Sequence, residues 1–133
     1  MTDRIGEILK NNKTIAVVGL SPKPERASYK VAAYMQQHGY RIIPVYPRGE
    51  TILGEKVYPR LEDISEPVDI VDVFRKSEDT PPVAESAVRI GAKCLWLQLG
   101  IQNEVAEAIA EAGGLQYVEN RCIKIEHERR MGD

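Results

Sequence analysis

Thr14-Ile-Ala-Val-Val-Gly-Leu20, followed by Ser21-Pro-Lys-Pro-Glu-Arg-Ala-Ser28, decides how the chain is read. The first segment is a β-branched apolar run, the mark of a strand buried on both faces, and such strands belong to parallel sheets. The Ser/Pro/Lys loop then delivers the chain to a helix from Ser28 to His38. Ser28 is its expected N-cap, Val31, Ala32, Tyr34 and Met35 form its apolar stripe, and Gly39 ends it. Outward from there the alternation continues. Arg41 to Tyr46 is a second strand; its Pro44 removes one ladder donor and so demands a bend or an edge position, and Pro47 stops it. Residues 48–67 are irregular, with a short strand expected at Lys56 to Tyr58 and a short helix near Leu61 to Ile64. Val68 to Phe74 is a third strand, and Thr80 as N-cap with Pro81 at the first helical position opens a helix that closes at Ile90-Gly91. Cys94 to Leu99 is a strand, Asn103 caps a helix through Ala112, Gln116 to Glu119 is a last strand, and Cys122 to Arg129 is a short terminal segment. Residues 1–12 read as a helical lead-in to one domain covering 1–133. This order predicts an α/β fold: a Rossmann-like, doubly wound, mostly parallel sheet of about five strands with helices on both faces.

Composition agrees with a single compact domain. The 133 residues are 43% apolar and 29% charged, enough for a core and too little charge for a disordered tail. Eighteen basic against twenty acidic side chains leave a net charge of −2, which argues against indiscriminate binding to nucleic acid or to an anionic membrane. No apolar run approaches the roughly 20 residues of a membrane span, and Met1 to Asn12 lacks the apolar core of a secretory leader, so we expect a cytoplasmic protein. Cys94 and Cys122 form no zinc or CxxC pattern and read as reduced thiols. Neither His38 nor His127 stands beside a plausible nucleophile. Asp69 and Asp72, three apart on a strand, point to opposite faces and cannot act as a carboxylate pair.

Ligands of doubly wound sheets bind beyond the carboxyl ends of the strands. The first of these ends is the most informative: Lys23, Arg26 and Lys30 gather around a helix start with only Glu25 opposing them, as a phosphate site requires. The loop is neither GxGxxG nor GxxxxGK[ST]. The second strand ends in Tyr46-Pro47-Arg48 where an NAD enzyme would place an acid for the ribose hydroxyls; this counts against NAD and leaves NADP open through Arg48. Alternatively, Tyr46 and Pro47 flank an adenine ring with Arg48 near a ribose phosphate. The third end offers Val73-Phe74-Arg75, the fourth Gln98-Leu99-Gly100, and none of these is a nucleophile.

Taken together, Ile15-Ala-Val-Val-Gly-Leu-Ser-Pro-Lys-Pro-Glu-Arg-Ala-Ser-Tyr29, Ile43-Pro-Val-Tyr-Pro47, Leu53-Gly54, Val71-Asp-Val-Phe-Arg75, Leu95-Trp-Leu-Gln-Leu-Gly100 and Asn120-Arg-Cys-Ile-Lys-Ile-Glu-His127 resemble the small stand-alone CoA-binding-domain proteins. These are similar to the CoA-binding domain of the succinyl-CoA synthetase alpha subunit. The resemblance covers about residues 12 to 128 and implies coenzyme A as the cofactor. It implies that Gly19, Leu20, Ser21, Lys23 and Arg26, with Ser28 at the helix start, meet phosphates, and that Pro44, Val45, Tyr46 and Pro47 border the adenosine. Val73, Phe74 and Arg75 match a Pro-containing loop of the synthetase, and Gln98, followed by Gly100, stands where the synthetase carries an acid. The synthetase's phosphohistidine domain and nucleotide-binding partner subunit have no counterpart in 133 residues.

The expectation is therefore a module that binds CoA or acyl-CoA without catalysis of its own, with no nucleic acid or membrane partner. Two other readings stay open. One is a small NADP-dependent oxidoreductase with Tyr29 or His127 as proton donor. The other is an interaction domain regulating an acyl-CoA enzyme through an unidentified protein partner. Cys122 is a further candidate, for a mixed disulfide with the CoA thiol.

Overall fold

The computed structural model describes residues 3–131. Its elements run α1 (Arg4–Asn11), β1 (Thr14–Val18), α2 (Ala27–Gln37), β2 (Arg41–Val45), a small hairpin of β3 (Thr51–Ile52) and β4 (Glu55–Lys56), β5 (Ile70–Val73), α3 (Thr80–Arg89), β6 (Cys94–Leu97), α4 (Glu104–Ala112), β7 (Gln116–Val118) and α5 (Ile123–Arg130). Single 3-10 turns occupy Leu61–Asp63 and Ser77–Asp79.

Five strands form one sheet in the order β2-β1-β5-β6-β7, every neighbouring pair parallel. From β1 the chain steps outward to β2, then crosses back to β5 on the other side and continues to the far edge. The order thus reverses between β1 and β5, and a crevice opens beyond their carboxyl ends. Both faces are covered, which is why the central strands read as continuous apolar runs. Ile15, Val17, Ile70, Cys94 and Trp96 pack under α1, α2 and α5, while Ala16, Val18, Val71, Val73, Leu95 and Leu97 pack under α3 and α4. Each large side chain so buried contributes about 1.5–3 kcal/mol. On the second face Ala84, Ala87, Ala106 and Ala110 are fully buried, so small residues bring α3 and α4 close to the sheet.

Pro44 occupies the edge position that its missing donor demands. The N–H of Arg41 donates to the Lys13 carbonyl, so alternate residues of β2 face β1, and Pro44 faces outward, where its carbonyl accepts from Tyr58 N–H at 3.0 Å. Tyr58 therefore covers the edge as a single bridge opposite Val45, and the strand expected at 56–58 is instead the β3–β4 hairpin followed by this bridge.

Two expected helix caps are corrected. Helix α2 begins at Ala27 with Arg26 in the cap position and no side-chain cap; the Ser28 hydroxyl accepts from Ser21 N–H (3.0 Å). Thr80 lies inside α3, fully buried, its hydroxyl donating to the Ser77 carbonyl (2.7 Å), and Asp79 takes the cap position. Asn103 caps α4 as expected, accepting from Ala106 N–H (2.9 Å). Asp69 accepts from the N–H groups of Lys13 and Thr14 and ties the start of β1 to β5, whereas Asp72 is buried in β5. Cys94 is buried, which pushes its thiol up to about 12, and Cys122 is half-buried at the start of α5. Among the described residues no helix is long and apolar enough to cross a membrane.

Candidate functional site

Three strand tips meet at the crevice: Gly19 after β1, Tyr46 after β2 and Phe74 after β5. The Gly19 N–H donates to the Val45 carbonyl (2.9 Å) and the Phe74 N–H to the Val18 carbonyl (2.8 Å), so the ladders continue one residue past the strands. Gly19 has φ +88°, and a Cβ there would stand 2.4 Å from the Phe74 carbonyl oxygen. The close approach of the two tips requires glycine. The loop that follows is folded by its own bonds: Lys23 N–H to the Ser21 hydroxyl (3.1 Å), Arg26 N–H to the Lys23 carbonyl (3.0 Å) and Ser21 N–H to the Ser28 hydroxyl (3.0 Å). These bonds bring Lys23 and Arg26 to the start of α2. Beside the helix start lies an open cavity of about 400 Å³ lined by Gly19, Ser21, Lys23, Arg26, Ala27, Ser28, Tyr46 and Phe74.

The electrostatics of this cavity are one-sided. Helix α2 has no acidic residue in its first turn, whereas α4 carries an Asn cap with Glu104 and Glu107. Among the described residues no carboxylate lies within ion-pair distance of Lys23 or Arg26. The partial positive charge of the helix start and two uncompensated cations therefore face the same space, which favours an anion. Tyr46 and Phe74 add aromatic surface beside it, suited to a planar ring.

The same tips border a second cavity. Val18, Val45 and Arg75 line an open groove of about 150 Å³ bordered also by Pro59, Arg60, Leu61, Glu62, Pro82, Val83 and Ser86.

Of the residues singled out from the sequence, Gly19, Ser21, Lys23, Arg26, Ser28, Tyr46 and Phe74 come together in the first cavity, and Val45 and Arg75 in the second. The others lie elsewhere. Leu20 is a fully buried core residue, and Pro44 and Val73 are buried within their strands. Pro47 and Arg48 are exposed and line neither cavity. Gln98 is buried, its Oε1 accepting from Ile123 N–H (3.1 Å), so its amide caps α5. The Gly100 N–H donates to Asn120 Oδ1 (2.7 Å), and Gly100 too lies outside both linings. Tyr29 packs half-buried against the core, and His127 is buried against Tyr34, whose hydroxyl lies 2.8 Å from its Nδ1. Neither lines either of these two cavities. Sequence reasoning missed Ala27, which contributes no functional group, and the second cavity, most of whose wall comes from residues 59–62 and α3.

Residues 13–128 match the family model described as the CoA binding domain. The chain belongs to that family. The uncharacterized protein YneT of Bacillus subtilis is 45% identical over 92% of this chain and 91% of its own length. A hypothetical protein from Pyrococcus horikoshii superposes with a TM-score of 0.94 at 44% identity, covering 99% of this chain and 94% of that one. The alpha subunit of the ADP-forming acetate–CoA ligase I of Pyrococcus furiosus is 31% identical over 65% of this chain, a stretch that spans only 20% of the subunit. Within this CoA binding domain the cationic cavity sits at the switch point between β1 and β5.

Proposed function

We propose that the protein binds coenzyme A or an acyl-CoA across the tips of β1, β2 and β5, as a binding module with no reaction of its own. The observation that carries this reading is the start of α2, left without a side-chain cap in a cavity that also holds the uncompensated Lys23 and Arg26. Coenzyme A fits that donor set: its phosphates meet the helix start, Ser21, Ser28 and the two cations, and its adenine meets Tyr46 and Phe74. Gly19 lets the backbone approach the pyrophosphate closely. Membership of the CoA binding domain family and similarity to an acetate–CoA ligase subunit support the choice of ligand. The oxidoreductase reading is the weaker one, because Tyr29 and His127, its proton donors, line neither cavity.

Calorimetric titration with CoA, 3′-dephospho-CoA and NADP tests the proposal. CoA is expected to bind at least about tenfold more tightly than NADP. A charge-assisted hydrogen bond contributes about 1.5–3 kcal/mol and 1.4 kcal/mol is tenfold in affinity, so Lys23→Ala and Arg26→Ala are each expected to weaken CoA about tenfold with unaltered melting curves. Equal affinity for NADP, or no heat at millimolar CoA, overturns the reading.

A further inference from the structure

Among the described residues three large apolar side chains are exposed: Leu99 (63%), Val105 (58%) and Ile125 (39%). Single exposed apolar residues are ordinary on a protein surface, but these three share one end of the sheet. Leu99 follows β6, Val105 is in the first turn of α4, and Ile125 is in the first turn of α5. Hydrogen bonds hold the loop of Leu99 against the chain that leads into α5: the Gly100 N–H donates to Asn120 Oδ1 (2.7 Å) and the Asn120 N–H to the Ile101 carbonyl (3.0 Å). The charges around the three are divided. On the α4 side stand Glu104, Glu107, Glu111 and Glu119, and among the described residues none of the four has a cation within ion-pair distance. Desolvation, then Glu111, Glu119 and Glu104, raise the Glu107 carboxyl above its ordinary value, so the four act on one another as a like-charge cluster. On the α5 side Ile125 and Arg129 are exposed one turn apart, and Arg121 is exposed just before the helix. Both arginines reach the buried Glu126 only at 3.5 and 3.7 Å, because Arg130 holds it at 2.6 Å, and Glu128 is the one exposed acid of α5. This end of the molecule is therefore acidic on one side and basic on the other, with apolar side chains on both. Such a face matches itself: a two-fold rotation sets the acidic side of one copy on the basic side of another, twice, and covers the apolar groups of both.

We infer that this end of the chain is a self-association face on which a second copy docks by two-fold symmetry. The carboxylates of α4 meet the arginines of the other copy's α5, and Leu99, Val105 and Ile125 are covered between them. The inference stands apart from the CoA reading, since none of these residues lines either strand-tip cavity. Three apolar side chains a side suit a weak dimer at the small end of specific interfaces. Sedimentation velocity over a concentration series tests this on the wild type, Glu104→Lys, Arg129→Glu and Leu99→Asp, with melting curves as the check on folding. At about millimolar protein and low salt the wild type is expected to reach twice its 14.9 kDa mass and to stop there, and added salt is expected to reverse the association. Each charge reversal sets like charges together at both contacts and is expected to weaken association about tenfold. An equimolar mixture of Glu104→Lys and Arg129→Glu sets opposite charges together again at both contacts and is expected to regain the dimer. Leu99→Asp, in a loop and outside every ion pair, is expected to weaken association by a similar factor and carries the test if a reversal disturbs folding. A wild type that stays monomeric at about millimolar concentration overturns the inference and leaves the face to a different protein. Growth past the dimer, or a mixture no more associated than its two components, overturns the two-fold pairing of α4 with α5.

Discussion

Asp72 lies in β5 between Val17 of β1 and Trp96 of β6, 1% exposed, and its Oδ1 has no hydrogen-bond partner. Burial raises its pKa well above 3.8, so the folded chain keeps a proton that the unfolded chain releases. The stability this proton gives is complete below the unfolded value and is lost as pH rises toward the folded one. Asp72→Asn cannot titrate. Melting curves from pH 4 to 8 are therefore expected to show the variant gaining on the wild type as pH rises, by at most about 1.4 kcal/mol per pH unit; a gap constant across the range contradicts this. Gly19 makes a second case at the same scale. Gly19→Ala meets both a positive φ and the Phe74 carbonyl, and is expected to cost at least about 2 kcal/mol. Gly91→Ala, at φ +76° with nothing within 4 Å of the new methyl, isolates the backbone cost and is expected to be the milder by denaturant unfolding.

Helix α5 docks through several buried polar groups. Gln98 caps its start, Glu126 is buried and accepts from Arg130 (2.6 Å), Arg130 also pairs with Asp3, and His127 sits among the rings of Tyr34, His38 and Tyr40. Burial, then His38 and Lys13, lower the His127 pKa below 6.5, against a smaller opposing effect of Glu128. The folded state thus binds fewer protons than the unfolded state, and the stability concerned is present above pH 6.5 and lost as pH falls below it. Hydrogen exchange of α5 amides, corrected for intrinsic rates, is expected to lose protection from pH 7.5 to 5.5 in the wild type and to change less in His127→Gln. An equal loss in both removes His127 as the cause. Element identity was legible in the sequence because two-sided burial leaves β-branched runs and one-sided burial leaves a 3.6-residue stripe. Caps were less legible. Ser28 and Thr80 are good capping types, but their hydroxyls are used by Ser21 N–H and the Ser77 carbonyl, choices that depend on how the preceding loop folds back.

For the whole molecule, the reversal of strand order between β1 and β5 matters most, because it sets the place of the crevice before any side chain is considered. The first loop was legible as a candidate site because its cations stand out in a chain of net charge −2. Gln98 and Gly100 were not separable from site residues by spacing, since only the docking of α5 and the position of Asn120 show where their polar groups are spent. The second cavity was hidden for a similar reason: the segment at 59–62 follows Tyr58, whose bridge to Val45 brings it beside the strand tips. At 14.9 kDa the protein suits residue-by-residue observation in solution. An amide chemical-shift map during titration with CoA tests the central claim directly. The largest shifts are expected at residues 19–29, Tyr46, Phe74 and Arg75; no shifts at millimolar CoA, or largest shifts around the acidic end at Asn103, Glu104 and Glu119, would contradict it.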